Sequence, residues 1–372
     1  MARRSVARAM GVVRMDLVTQ GLLGAAVGTA VGARRLGWKA AVFGALGGLL
    51  PDSDVFFSQT PGVEHWVIHR GVTHSLWFGP LVGSALAMLS IGIGNAWRAR
   101  QKQAPLDDAA RRAWFAVWIL AIFTHPLLDA VTQYGTQWFA PFTDWRAAIA
   151  AMPIIDPLYS LLLIGGLVAA AFTTGQRAEQ RARIALGLSC AYIAVAAVQQ
   201  PLGAHMAHKE LTRQGLNGPS VLQVSSHTTM FTPFLRRVVA RTEDGYLIGF
   251  VSTLNPQPIQ WRRVEVDPVA QRLADQILSG EGDGRRYRRF ATGPIVPEIL
   301  QREDGAQVLR LHDARYGFPG QSLAGQWGLE YTLNEQGRPV GRGVRYRIPR
   351  EATGERIEAL MRAKLGLPNA VF

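Results

Sequence analysis

The first 200 residues hold nearly all of the long apolar stretches of this chain. Six stretches can be marked, at residues 17–33, 38–50, 76–95, 113–132, 154–174 and 184–200. The third, fourth and fifth approach the length of about 20 residues that a helix needs to cross a bilayer. The first two are short and rich in glycine and alanine, which favours a tight hairpin, a re-entrant pair or two tilted spans packed through small residues. This pattern predicts a multi-pass α-helical membrane bundle.

After residue 200 the sequence becomes polar and arginine-rich, with short apolar runs between glycines and prolines. Residues 238–253 predict a β-hairpin that turns at Asp244, and residues 327–348 predict a second one that turns near Gly337. Residues 356–366 predict a short terminal helix. The second half is therefore predicted to be a β-rich (α+β) soluble domain.

The composition shift divides the chain into three regions. We expect a basic N-terminal extension at residues 1–14, a membrane-embedded helical domain at 15–200 and a β-rich domain at 201–372. The single cysteine, Cys190, excludes an intrachain disulfide and a cysteine-based zinc site. The sequence leaves the oligomeric state open.

The formal net charge of +13 fits either nucleic-acid binding or the basic loops of a membrane protein. The dense basic cluster consists of Arg285, Arg286, Arg288 and Arg289 around Tyr287. Such a cluster is typical of a solvated or lipid-headgroup patch. Basic residues interleaved with aromatics along a helical face are missing from the sequence. We therefore expect no specific nucleic-acid partner.

Loop charges predict the orientation in the membrane. The segments 96–112 and 175–183 are rich in arginine, so both are predicted to be cytoplasmic. The loops 51–75 and 133–153, and everything after residue 201, then lie on the extracytoplasmic side. The basic N-terminus and the basic residues after the first stretch cannot both be cytoplasmic if that stretch fully spans, which favours a re-entrant or interfacial first helix.

Aspartates and histidines lie at the ends of the apolar stretches. They are Asp52, Asp54, His69, His74, His125, Asp129 and Asp156. Ionisable groups beside a hydrocarbon layer are costly and usually face a cavity or a partner. Carboxylates and imidazoles together are usual ligands of zinc, manganese and iron. Since all seven fall on the predicted extracytoplasmic face, the pattern predicts a shared divalent-metal site, with zinc as the first choice and manganese or iron as alternatives.

Each of these groups also has a simpler interpretation. His125 and Asp129 share a helical face at four-residue spacing, which fits either a metal clasp or a hydrogen-bonded pair. Asp52 and Asp54 form either a cation site or a solvated turn. Arg70, between the two histidines of H-R-G-V-T-H-S, either holds an anionic substrate group or balances the aspartates.

Three further features leave alternatives open. Asp156 precedes Pro157, so an N-cap competes with metal ligation. Trp66 suggests a membrane-interface anchor. Thr132, with its neighbouring Thr and Tyr residues, is expected to orient the ligands by hydrogen bonds, although the aromatics nearby also fit a membrane belt.

The motifs taken together resemble those of the YdjM-type inner-membrane metal-dependent hydrolases over about residues 15–174. They are M-D-x-x-T-Q, L-P-D-x-D, H-R-G-x-T-H-S, H-P-x-L-D-x-x-T-x-Y-G-T and I-x-D-P-L. The family is grouped with zinc-dependent phospholipases C and single-strand nucleases. The resemblance implies an all-α metal core in the bacterial inner membrane, and its ligand positions match the seven residues given above. Gln20 stands where many members have histidine, so a ligand role is not carried to it.

The resemblance and the site pattern together predict a membrane-bound metal-dependent hydrolase. Its expected substrate is a phosphoester in or near the membrane, with membrane lipids as surroundings or partners. Asp52 or Asp156 is expected to accept a proton, and Arg70 to stabilise the developing negative charge. The β-rich domain is expected to position substrate or a partner. The alternatives are a proton- or cation-coupled transporter and a membrane scaffold with a structural metal.

Overall fold

The computed structural model describes residues 2–56, 64–216, 221–317 and 324–348, together with Glu358 and Arg362. The chain forms two compact units. One unit comprises Met1–Phe57, Ile68–Ala148 and Ile154–Ala194. The other comprises Ser58–Val67, Ile149–Pro153 and Val195–Phe372. The main division lies near the predicted boundary at residue 200, but two short earlier segments belong to the second unit.

The first unit is helical. Five of its helices are α1 (Ala2–Leu36), α2 (Lys39–Leu49), α4 (Phe78–Arg100), α5 (Asp108–Ala130) and α6 (Pro157–Ala171). Two more helices, α3 (Glu64–Ile68) and α7 (Gly175–Arg213), belong partly to each unit. Two 3₁₀ helices, Pro51–Phe56 and Val72–His74, lie between them. The basic N-terminal extension continues into α1 without a break.

Three helices in the described part of the chain are long and apolar enough to cross a membrane: α4, α5 and α7. This confirms the predicted membrane helical region. The fifth apolar stretch, however, forms only the 15-residue helix α6, because Asp156 caps its start and the helix ends at Ala171. The spanning candidate after α5 is instead the 39-residue helix α7.

Helices α1 and α2 form a hairpin in which the two backbones touch. A Cβ atom on Gly24 would overlap the carbonyl of Gly44, and one on Gly28 would overlap the carbonyl of Ala40. Glycine at these positions is therefore what permits the close approach. The structure shows that these stretches form a tight hairpin packed through small residues. Its packing brings Gln20 of α1 beside Gly48 at the end of α2.

The turn after α1 lies at the arginine-rich end of the helical unit. Arg35 is 3.6 Å from Asp107, which begins α5, and the backbone N–H of Arg34 donates to Glu179 of α7 at 3.0 Å. These contacts place the basic residues that follow the first stretch together with the two arginine-rich loops. The candidate ligands lie at the other ends of α2 and α5, so one end of the unit is basic and the other carries the aspartates and histidines.

The second unit contains two four-stranded antiparallel sheets. The first is formed by β1 (Val221–Thr229), β2 (Thr232–Thr242), β3 (Gly245–Ser252) and β4 (Arg262–Glu265), and the second by β5 (Ile295–Gln301), β6 (Gln307–Asp313), β7 (Trp327–Leu333) and β8 (Pro339–Arg347). Strand order follows the sequence in both sheets. The β-rich prediction and both hairpins are confirmed, with Val239 opposite Ile248 and Trp327 opposite Arg347. The predicted terminal helix at 356–366 lies outside the described residues.

Two helices, α8 (Pro268–Ser279) and α9 (Asp283–Phe290), connect the sheets. Tyr287 and Phe290 of α9 are buried, whereas the four arginines of the basic cluster are exposed. The cluster is thus the outer face of an amphipathic helix. Between the sheets, Val239 and Ile248 of the first pack with Val296 of the second.

Trp66 is part of the core of the second unit. It is 2% exposed and stacks on Phe290 with ring centroids 5.0 Å apart. Tyr287 and Trp327 pack against the same indole at 5.1 and 5.7 Å. The expectation that Trp66 anchors a membrane interface was therefore wrong, because three aromatic rings provide a protein environment that buries its whole indole.

Candidate metal centre

Three ligand atoms from three different segments converge at one end of the helical unit. Asp52 comes from the 3₁₀ helix after α2, His74 from the 3₁₀ helix before α4, and His125 from the last turns of α5. The two imidazole Nε2 atoms are 3.0 Å apart, and Asp52 Oδ1 lies 3.4 Å from that of His74 and 3.5 Å from that of His125. Ligands at about 2.0–2.1 Å around a tetrahedral zinc ion are about 3.3 Å from each other. The observed spacing therefore suits one such ion.

Asp129 adds a fourth group to this cluster. Its Oδ2 lies 3.3 Å from Nε2 of His74 and 3.6 Å from Nε2 of His125. The atom is buried and accepts no hydrogen bond from the described residues. The cation beside this oxygen is the Arg70 guanidinium, with Nε 3.1 Å away, and a metal ion between the imidazoles would be a second one. The structure thus brings together four of the seven candidate ligands, which come from three segments of the chain.

Hydrogen bonds at the far side of each ring determine which imidazole nitrogen faces the cluster. His125 Nδ1 donates to the carbonyl of Gly48 at 2.6 Å. Nδ1 of His74 is 3.0 Å from Oγ1 of Thr73, which donates to Asp54 Oδ2 at 3.0 Å. A neutral imidazole that donates through Nδ1 has a lone pair on Nε2. Both Nε2 atoms can therefore bind a cation. Many metal-ligating histidines likewise donate a hydrogen bond from the ring nitrogen that does not bind the metal.

Asp54 contacts the residues that hold the ligands of the cluster. Its Oδ1 contacts Nδ1 of His69 at 2.8 Å, and its Oδ2 accepts hydrogen bonds from Thr73 and from the backbone N–H of Arg70. Burial alone would raise the pKa of Asp54, but hydrogen bonds and charge interactions with His69 and His74 hold it well below its usual range. Asp52, Asp54 and His69 also form a second group of closely spaced ligand atoms. The oxygens of Asp54 are already engaged, so its observed role is to orient the two histidines.

Arg70 lies inside the cluster in an unusual backbone conformation. Its φ of 61° is left-handed, which costs a non-glycine residue about 1–3 kcal/mol. The guanidinium is 2% exposed, with Nε 3.1 Å from Asp129 Oδ2 and Nη1 donating to Thr132 at 3.3 Å. Its carbon Cζ lies 4.8 Å from the ring centre of Tyr134. Of the two interpretations of Arg70, balancing an aspartate is the one observed.

The charges of the cluster favour a bound cation. The cluster holds three buried carboxylates, Asp52, Asp54 and Asp129, and one guanidinium, that of Arg70, which lies against Asp129. Burial opposes protonation of His74, but contacts with Asp129, Asp52 and Asp54 outweigh burial and raise the pKa of His74 to about 9. Carboxylates that attract a proton this strongly also attract a metal cation. A divalent ion would balance the excess of negative charge.

Asp156 lies at the start of α6 and acts as its N-cap. Its Oδ1 accepts from the backbone N–H of Tyr159 at 3.0 Å, and its Oδ2 accepts from the hydroxyl of Tyr192 at 2.8 Å. The structure therefore shows the capping alternative for this residue. Asp156 is not among the groups of closely spaced ligand atoms in the described residues.

Two residues of the site were not identified as site residues from the sequence. Gln20 is 1% exposed and donates from Nε2 to Asp129 Oδ1 at 3.0 Å. Thr73 is the second residue, and its hydroxyl links His74 to Asp54. The sequence signal for Gln20 was its place in M-D-x-x-T-Q, close to the glycine stripe that packs α1 against α2. Thr132 contacts Arg70, in line with an orienting role.

The family model of the YdjM inner membrane protein matches residues 15–202 of the chain. This match covers the helical region that holds every candidate ligand. No curated protein and no solved structure is detectably similar to the chain. The chain belongs to the YdjM inner membrane protein family.

Proposed function

We propose that this member of the YdjM inner membrane protein family is a metal-dependent hydrolase that cleaves a phosphoester at or near the membrane. The observation that supports the proposal best is the pair of Nε2 atoms of His74 and His125, 3.0 Å apart beside oxygens of Asp52 and Asp129. Nitrogen and carboxylate donors at this spacing suit zinc, and manganese or iron would accept the same donors.

The residues of the cluster divide into ligands and supporting groups. Asp52, His74, His125 and Asp129 would hold the metal ion. Bound there, the ion would supply a Lewis acid that polarises a phosphoryl oxygen and lowers the pKa of a water molecule. Asp52 directs Oδ1 towards the imidazoles and has a second oxygen with which to accept the proton of the attacking water. Since Asp156 is occupied as a helix cap, we assign it no proton transfer.

Arg70 provides the positive charge that a phosphoryl transition state requires. Its guanidinium lies against Asp129 and is held by Thr132 and the ring of Tyr134. Donors fixed in this way need no reorganisation when charge develops on the substrate. The strained backbone of Arg70 is retained by hydrogen bonds on both of its peptide groups, to Asp54 and from Gln137.

The position of the ligands favours an enzyme over a transporter. Asp52 and His74 lie in 3₁₀ turns outside the apolar helices, and His125 and Asp129 lie in the last turns of α5. A transported ion would be expected nearer the middle of the helices. We place the cluster on the extracytoplasmic face, since the arginine-rich loops mark the opposite end. A reporter that fluoresces only in the cytoplasm, fused after Phe372, should stay dark. Bright fluorescence would reverse this orientation.

The test begins with metal analysis of the detergent-purified chain. We expect about one metal ion per chain, and cleavage of a chromogenic phosphodiester or of phospholipid in mixed micelles that chelator abolishes. His125→Ala should lose both metal and activity. His205→Ala, an exposed histidine of α7, is the matched control and should retain both. Metal bound without hydrolysis of either substrate class would favour the structural-metal alternative.

A further inference from the structure

Gln20 is the polar residue of α1 that reaches the cluster. Its amide is 1% exposed, and Nε2 donates to Asp129 Oδ1 at 3.0 Å. The approach depends on the glycine-packed hairpin, because the Gln20 carbonyl lies where a Cβ on Gly48 would be. Gly48 in turn accepts the hydrogen bond of His125 Nδ1. One short stretch of backbone contact therefore positions groups behind two candidate ligands.

The orientation of the Gln20 amide follows from its partner. A carboxylate only accepts hydrogen bonds, so the amide must present its N–H groups to Asp129. The amide oxygen, Oε1, is then the atom that does not contact Asp129. Oε1 is buried and accepts no hydrogen bond from the described residues. A buried acceptor in this state normally has a donor against it.

The two oxygens of Asp129 consequently have different surroundings. Oδ1 receives the N–H of Gln20, whereas Oδ2 lies 3.3 and 3.6 Å from the Nε2 atoms of His74 and His125. A carboxylate without the Gln20 contact could rotate about its Cβ–Cγ bond and exchange these oxygens. The hydrogen bond therefore helps to select which oxygen faces the imidazoles, together with Nε of Arg70, which lies 3.1 Å from Oδ2.

We infer that Gln20 is a positioning residue, which holds Asp129 through Oδ1 so that Oδ2 faces the imidazoles and the metal ion on which turnover would depend. The inference rests on the proposed function for its catalytic part. Its metal-binding part stands on the contacts of Asp129 alone. Residues that orient a metal ligand typically change metal affinity by 10–100-fold when removed.

The test compares Gln20→Met with Gln199→Met. Methionine keeps the length of the side chain but has neither the donor nor the acceptor of the amide. Gln199 of α7 is a matched control, because it is 8% exposed and donates only within its own helix, to the carbonyl of Val195. Zinc affinity is measured by competition with a chromogenic chelator, and kcat and KM are measured at saturating zinc.

We expect Gln20→Met to weaken zinc binding by about 10–100-fold and to lower kcat with little change in KM. Gln199→Met should change neither. In an Asp129→Asn background, Gln20→Met should change zinc affinity less than twofold, because the residue acts through the carboxylate. Gln20→Asn, whose shorter amide cannot span the same distance, provides the comparison if the methionine variant does not fold.

Two outcomes would overturn the inference. One is wild-type zinc affinity and kcat in a folded Gln20→Met protein, which would reduce the contact to a structural hydrogen bond. The other is an equal loss of affinity in both Asp129 backgrounds, which would show that Gln20 acts on the fold instead. Absence of hydrolysis by the wild-type chain would count against the proposed function, whereas the affinity measurements would still decide the role of Gln20.

Discussion

Buried charged side chains occur in both compact units, but in different arrangements. In the helical unit, Asp52, Asp54 and Asp129 lie around two imidazoles with Arg70 as their guanidinium partner. In the second unit the buried charges are mostly positive. Arg236, Arg237 and Arg315 are 0%, 1% and 2% exposed, and Asp313 is fully buried among them.

The buried arginines donate hydrogen bonds to a carboxylate and to backbone carbonyls of the second unit. Arg315 pairs with Asp313 at 2.7 Å, and Nε of Arg237 donates to the carbonyl of Ala314 at 2.9 Å. Arg236 donates to the carbonyls of Ser226 and Ala150. Burial lowers the pKa of Arg236 to about 9, and no carboxylate lies near enough to oppose that effect in the described residues. These contacts join chain segments, and Arg236 and Arg237, as neighbours on β2, point to opposite faces of the sheet.

The comparison separates a structural use of buried charge from a functional one. The arginines of the second unit donate to separate acceptors, which are backbone carbonyls for Arg236 and Arg237 and the Asp313 carboxylate for Arg315. The carboxylates and imidazoles of the helical unit converge, and Asp129 Oδ2 receives no hydrogen bond from the described residues. Convergence of like groups is costly for the protein alone and favourable once a cation is bound.

The largest effect is expected for Asp313→Ala, which breaks the buried pair of the second unit. Loss of one partner of a buried ion pair costs about 3–5 kcal/mol, because the other charge remains uncompensated. The thermal unfolding midpoint of the second unit should fall strongly, whereas the metal content of the remaining folded protein should not change. An unchanged midpoint would mean that Arg315 finds other acceptors.

Asp129→Ala removes a carboxylate that is equally buried, but in the helical unit. We expect metal affinity to fall by more than the 10–100-fold that is typical of supporting residues. The unfolding midpoint should fall less than in Asp313→Ala, because Arg70 keeps the Thr132 hydroxyl and the Tyr134 ring as partners. Elemental analysis of the folded variant measures the metal. Full metal occupancy would reduce Asp129 to a structural partner of Arg70 and weaken the comparison.

Gly24→Ala tests the hairpin that positions the cluster. The added methyl group would overlap the Gly44 carbonyl, so α1 and α2 must separate, at a cost of about 1–3 kcal/mol. Gly92→Ala in α4 is the matched control, because nothing lies within 4 Å of a Cβ there. That control should be neutral or stabilising by up to about 1 kcal/mol. Equal unfolding midpoints for the two variants would contradict the close packing.

The smallest effect is expected for Thr132→Ala. Its hydroxyl accepts from Arg70 and donates to the backbone carbonyl of Asp129 at 2.7 Å. Metal should stay bound, and turnover should fall by about tenfold, the lower end of the range for orienting residues. Loss of metal in this variant would place Thr132 closer to the ligands than the structure does.

The candidate ligands could be predicted because ionisable residues are rare within and beside apolar membrane stretches. Asp52, His74, His125 and Asp129 each end an apolar stretch, and helical spacing puts the last two on one face of α5. The hairpin of β2 and β3 could be predicted from its local turn residues. Gln20 could not be identified, because a single glutamine in an apolar helix carries no spacing that points to a partner 109 residues away.

The short segments that join the second unit could not be predicted either. Trp66 lies in the short helix α3 and Ala150 lies between α5 and α6, whereas their partners Phe290 and Arg236 come much later in the chain. Composition alone gives Trp66 the appearance of a membrane-interface residue. Only long-range packing decides its environment, and a local pattern contains no information about it. For the same reason, local patterns indicate one boundary near residue 200, whereas the chain passes between the two units five times.

The contribution of Trp66 to a distant core has a consequence for biosynthesis. The indole leaves the ribosome before more than half of the chain, including Phe290 and Trp327, has been made. The residues after α7 therefore cannot complete the core of the second unit by themselves. They must pack against Trp66, which was synthesised much earlier. A nascent or prematurely terminated chain therefore exposes Trp66, because the aromatic rings that bury it have not yet been made.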